Sequence, residues 1–216
     1  KNKITDKMKT IKNIGLKLAV IMAVFMAVPA VGQAQVKKGY ANVDWQFNVP
    51  LSNKFASTAS GWGMNFEGGY FITDNIGVGL FLAYSTNNEY FGQRTLNISE
   101  TAAMTTDQQH SLFQLPFGAS FRYRFVPESQ FIPYLSLKLG PEYSEMSSYY
   151  NVYKSHDYDW GFYISPEVGI TMYPTQDKSV GFHVALYYSY ATNKGNVLTY
   201  SLDGLNNFGF RLGLAF

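Results

Sequence analysis

From residue 39 onward, apolar positions alternate with small or polar ones, run after run. Ile76, Val78, Leu80, Leu82 and Tyr84 alternate with Gly77, Gly79, Phe81, Ala83 and Ser85. Phe113, Leu115, Phe117, Ala119, Phe121, Tyr123 and Phe125 alternate with Gln114, Pro116, Gly118, Ser120, Arg122 and Arg124. The final run, Phe208, Phe210, Leu212, Leu214 and Phe216, has Gly209, Arg211, Gly213 and Ala215 between its members. Side chains of a strand point alternately to opposite faces, so each run predicts a ribbon with one apolar face. Eight strands are predicted, at about 39–49, 61–72, 76–86, 109–126, 131–144, 159–173, 179–192 and 205–216. No stretch after residue 35 carries a helical period.

The connections alternate too. Short turns are predicted at 73–75, 127–130 and 174–178, and longer polar loops at 50–60, 87–108, 145–158 and 193–204. An even number of antiparallel strands, with short turns at one end and long loops at the other, predicts an all-β fold. It is an eight-stranded antiparallel up-and-down transmembrane β-barrel. A secreted eight-stranded ligand carrier of the lipocalin kind is the soluble alternative, with the apolar face turned inward. The second face decides between them. It is built of Gly, Ala, Ser and a few charges, which suits a narrow lumen, whereas a wet exterior gains nothing from strand glycines.

Composition sharpens this picture. The chain has 17 Tyr, 17 Phe and 3 Trp, no cysteine, and 15% charged residues, against about 25% in an average soluble domain. Disulfides, thiolate metal sites and a lipid-modified N-terminal cysteine are thereby excluded. Lys9, Lys12 and Lys17 precede an apolar run from Leu18 to Val31, and Gly32 and Ala34 follow. This order predicts a secretory signal peptide over residues 1–34, cleaved after Ala34, with Met8 as an alternative start and the barrel domain over 35–216. Residues 1–34 hold six of the 17 basic and one of the 15 acidic residues. The remainder therefore has 11 against 14, a net charge of −3, and nucleic acid is not an expected partner.

The last strand, Phe208 to Phe216, resembles the C-terminal signal by which the outer-membrane assembly machinery recognises its clients. With the leader and strand layout, the chain resembles the small outer-membrane β-barrel families of OmpA/OmpX type. The resemblance implies an outer-membrane location with both termini in the periplasm. It also implies contact with membrane lipid and lipopolysaccharide, and engagement of the assembly machinery by Phe208, Phe210, Leu212, Leu214 and Phe216. The chain ends with the barrel, so no further periplasmic domain is expected.

Parity assigns nine charged or titratable residues to the lumen: Asp44, Glu67, Arg122, Arg124, Lys138, Glu142, Glu167, His183 and Arg211. Buried charges persist when paired, so these predict a polar network plugging the interior, with ion pairs Asp44–Arg211 and Lys138–Glu167 and a contact between Glu67 and Arg122. Eight strands are too few for a wide solute pore. An outer-membrane lipid A-modifying enzyme would need Ser, His and an acid near the outer rim. His110-Ser111 and His156-Asp157 lie at that end, but neighbours on a strand face opposite ways. No catalytic, metal or cofactor site is assigned. Trp62, Tyr84, Tyr143, Trp160 and Tyr190 predict one aromatic girdle, and Tyr70, Phe125, Phe131, Phe182 and Phe216 the other. A non-enzymatic structural or surface-interaction role is expected, with any extracellular ligand at loops 87–108 and 145–158.

Overall fold

Every second side chain of each predicted run must leave water, and closing the sheet on itself gives all eight strands a common interior. The computed structural model describes residues 38–216 apart from Ser52, Glu100, Thr101, Asn151, Val152 and Gln176. The expected signal peptide lies outside the described residues. The strands are β1 (Gly39–Pro50), β2 (Gly63–Phe71), β3 (Ile76–Ser99), β4 (Ala102–Arg124), β5 (Phe131–Tyr150), β6 (Tyr153–Met172), β7 (Gly181–Val197) and β8 (Tyr200–Ala215). Each pairs antiparallel with the next, and β1 pairs with β8 from Asn42↔Ala215 to Pro50↔Asn207, closing the barrel.

The polar face turns inward. Asn42, Asp44, Gln46 and Asn48 of β1 are buried, as are Ser136 and Lys138 of β5. Leu80, Phe121, Leu135, Leu137, Val168, Leu186 and Leu212 are exposed on the outer wall. A soluble carrier requires the reverse arrangement, so that alternative fails on geometry. The aromatic rings mark two levels on the outer wall. Trp62, Tyr84, Trp160 and Tyr190 are exposed at one level, and Tyr70, Phe125, Phe131, Phe182 and Phe216 at the other.

Three of the predicted long loops are corrected by the structure. Residues 87–99 and 102–108 continue β3 and β4 as a two-stranded ribbon, and β5–β6 and β7–β8 extend likewise. Alternation fades there because neither face of these ribbons meets lipid, while backbone pairing continues regardless of side-chain polarity. Strands of 20 residues such as β5 and β6 are about twice the 9–11 needed to cross a bilayer. In β8 the phase also slips. Gly204 adopts a φ of +86° beside a register shift between Ala191 and Lys194 of β7, so Leu202 and Leu205 both face inward.

The described residues from Asn53 to Trp62 form no strand and fold back over the barrel mouth, tied by a bridge between Ser60 and Asn48. Phe55 and Ala56 are buried there with Phe81, Leu112, Met146, Tyr163, Val197, Leu202 and Leu205. The ribbon end thus carries an apolar core of its own, above a polar lumen.

Candidate functional site

The lumen is filled by an ionic layer. Glu67 of β2 meets Arg122 of β4 at 3.0 Å and Lys138 of β5 at 2.9 Å. Lys138 also pairs with Glu167 of β6 at 2.9 Å, and Glu167 pairs with Arg211 of β8. Asp44 of β1 bonds His183 Nδ1 of β7 and accepts from Asn65 Nδ2 at 2.8 Å. All these side chains are buried, so each charge persists only because its partners replace the lost hydration.

The predicted contacts of Lys138 with Glu167 and of Glu67 with Arg122 are present. The predicted Asp44–Arg211 pair is not. The β1–β8 register sets Gln46 opposite Arg211 and Asp44 opposite Gly213, so Arg211 Nε donates to Gln46 at 2.9 Å and Asp44 turns to His183. Arg124 stands apart at the short-turn end, over the Phe71 ring at 3.7 Å and donating from Nε to the Asp74 carbonyl. Glu142 lies nearer the ribbon end, outside the ionic layer.

Several members escape a reading based on charge alone. Tyr134 is the hub: its hydroxyl donates to Glu167 at 2.7 Å and bonds His183 Nε2, and Arg122 lies 4.1 Å above its ring. It shares parity with Ser136 and Lys138, the signal that marks it. Asn65 joins Asp44 to Lys138. Gly169 allows Tyr134 its place, because a Cβ there would stand 2.7 Å from the ring's Cζ.

The cap is built differently. His110 is buried, with Nδ1 2.7 Å from the Phe55 carbonyl and Nε2 2.8 Å from Gln108 Oε1. The Phe55 ring stacks on it at 4.2 Å and 11°, and Phe91 and Tyr200 present their edges. Glu89 accepts from the Ser57 amide and hydroxyl, and Asn87 donates to the Thr58 carbonyl at 2.9 Å. Burial pushes the imidazole below the ordinary histidine range, against the pull of the Phe55 carbonyl. Nothing in the 50–60 sequence signals this packing; a lone Phe among polar residues reads as loop.

The other histidine candidate lies outside the cap. His156 faces Ser147 across the β5–β6 ribbon, but the Ser147 hydroxyl donates to Glu145 at 2.9 Å. Lys154, 2.8 Å from Glu145, holds that carboxyl below its usual range. Ser111 lies on the face opposite to His110. Among the described residues no cluster of three or more His, Cys, Asp or Glu could hold a metal ion.

The chain is similar in fold to Neisserial surface protein A, at 17% identity over 82% of this chain and 95% of that one, with a TM-score of 0.51. It is also similar to the attachment invasion locus protein Ail of Yersinia pestis, at 11% identity over 83% and 100%, with a TM-score of 0.47. The N-terminal β-barrel domain of Pseudomonas aeruginosa OprF matches at 16% identity over 83% and 98%, with a TM-score of 0.41. No curated protein sequence matches the chain. The outer membrane protein beta-barrel domain family matches residues 18–216. The strands close into an eight-stranded ring with an apolar outer wall, and the chain belongs to the outer membrane protein beta-barrel domain family.

Proposed function

We propose that this outer-membrane barrel is a non-enzymatic surface-interaction protein that engages extended segments of extracellular proteins through its β3–β4 ribbon. One observation carries the reading. The register of β3 with β2 ends at Ser85, and that of β4 with β5 begins at Gln109. The ribbon continues past both points to Ser99↔Ala102; beyond Thr86, whose backbone bonds Ser60 and Trp62, no strand among the described residues pairs with either of its edges. Such edges are templates for strand addition. The β5–β6 ribbon stands beside it with Tyr149, Tyr153 and Tyr158 exposed, amphipathic rings of the kind enriched at interfaces.

In this reading the ribbons are extracellular, and the short turns and both termini are periplasmic. Residues 1–34 direct export, the assembly machinery reads Phe208 to Phe216, and the outer wall contacts membrane lipid and lipopolysaccharide. The test replaces residues 90–108 by a short turn in cells displaying the protein. Loss of binding to host cells or matrix, with the barrel still folded, is the expected result. Undiminished binding after the replacement overturns the reading, as does an altered lipid A profile on expression, which would make the protein an enzyme.

A further inference from the structure

The ionic layer is closed on itself, with Asp44, Glu67 and Glu167 facing Arg122, Lys138, Arg211 and His183. Glu142 is left over. It faces the lumen from β5 and is 0% exposed. Its register neighbours are Pro116 and Gly161, which bring no side-chain donor. Among the described residues neither carboxyl oxygen has a hydrogen-bond partner.

Two further polar atoms are unpartnered: Asn193 Oδ1, whose amide also bonds the Glu142 carbonyl, and Gln114 Nε2, two residues along β4 from Pro116, the register neighbour of Glu142. Their amide orientations are fixed by their other halves. Asn193 Nδ2 donates to the Glu142 carbonyl, the Ser144 hydroxyl and the Asp159 carbonyl. Gln114 Oε1 accepts from Asn207. What remains is one donor and one acceptor, the complement of a carboxylic acid, which also has one of each.

Tyr187 of β7 lies within electrostatic reach of Glu142 and of Tyr163 on β6. β4 presents Gln114 and Pro116. Arg211 of β8 lies on the Tyr187 ring at 4.1 Å and pairs through Nη1 with Glu167 and through Nε with Gln46. An isolated carboxylate in such surroundings takes up a counter-charge instead of staying bare. We propose that Glu142 is a proton-binding site between the ionic layer and the apolar cap. The carboxyl is held there as the neutral acid at neutral pH, beside the Asn193 amide that is bonded to the Glu142 backbone carbonyl.

The test is infrared spectroscopy of the refolded barrel in detergent at pH 7. A protonated-carboxyl band that shifts in D2O and is lost in Glu142→Gln is expected. That variant should remain folded, because glutamine also offers one donor and one acceptor. Absence of the band at pH 7, or its survival in Glu142→Gln, overturns the proposal. So does a band that appears only when choline replaces alkali cations, since the site would then hold a metal ion. Should Glu142→Gln fail to refold, 13C-glutamate labelling of the unsubstituted chain decides, and a band that does not move on labelling sinks the assignment.

Discussion

Glu167 shows how much one side chain can hold. It accepts from Lys138 and Tyr134 of β5 and from Arg211 of β8, so its removal leaves two buried cations short of a counter-charge. Glu167→Gln is expected to cost about 3–5 kcal/mol, the range for breaking one side of a buried ion pair. Guanidinium unfolding in detergent measures it, and an unmoved midpoint contradicts the network. Gly169→Ala acts on the same hub from behind, since a Cβ would press on Tyr134 at 2.5–2.7 Å and lever its hydroxyl away from Glu167. The expected loss is smaller, about 1–3 kcal/mol for an overpacked site, read from the same titration.

At the scale of the strand, adjacent residues live in different solvents. Leu137 is exposed on the outer wall midway between the Phe131 and Tyr143 girdle levels, while Lys138 next to it is wholly buried among carboxylates. Leu137→Arg is therefore expected to cost about 2–4 kcal/mol, the penalty for arginine at the bilayer midplane, although the chain already carries a lysine one residue on. A refolding yield in lipid vesicles equal to that of the parent chain would contradict this placement. His110 has its affinity for protons lowered by burial in the folded state, while an unfolded histidine titrates near 6.5. The unfolded or opened segment thus binds more protons, and stability rises with pH across the window between the lowered value and about 6.5. Above that window the contribution is fully present, and it is lost as pH falls through the lowered value. Limited proteolysis of the 50–60 segment is expected to accelerate from neutral to mildly acid pH, and His110→Phe is expected to remove that dependence. A rate independent of pH in the parent chain would show that His110 does not hold the cap.

Strand number, face and order are legible in the sequence because lipid and lumen impose opposite demands on alternate residues. Trp160 and Phe162 outside and Gly161 and Tyr163 inside follow that rule. Strand length is not legible, because beyond the girdles water bathes the ribbons and alternation loses its cause, as at Thr95↔Thr105. Ion-pair partners are legible where neighbouring strands or the narrow lumen bring them together, as for Glu67 and Arg122. Lys138 and Glu167 lie on neighbouring strands within reach, whereas Asp44 and Arg211 depend on the closing register of β1 with β8, set by the whole barrel's stagger. The slip at Gly204 and the burial of Phe55 likewise depend on tertiary contacts far away in sequence.

For the molecule as a whole, two stacked barriers close the lumen: the ionic layer across the middle and the apolar cap around Phe55 and Leu112 at the ribbon end. Eight strands leave an interior that side chains fill, and here they fill it with charge paired to charge. Planar bilayers containing the refolded protein are expected to show no porin-like conductance, and large, steady channels would contradict the plug.

The central claim is that apolar side chains face lipid around a closed, ion-paired interior. Heat-modifiability tests it most directly, on residues 35–216 refolded into detergent micelles and run on a gel with and without boiling. The account predicts two positions, the unboiled sample retaining a compact, SDS-resistant barrel that boiling converts to the unfolded chain. A chain that instead folds in plain buffer without detergent, and migrates identically either way, would place the apolar faces inside and contradict the account.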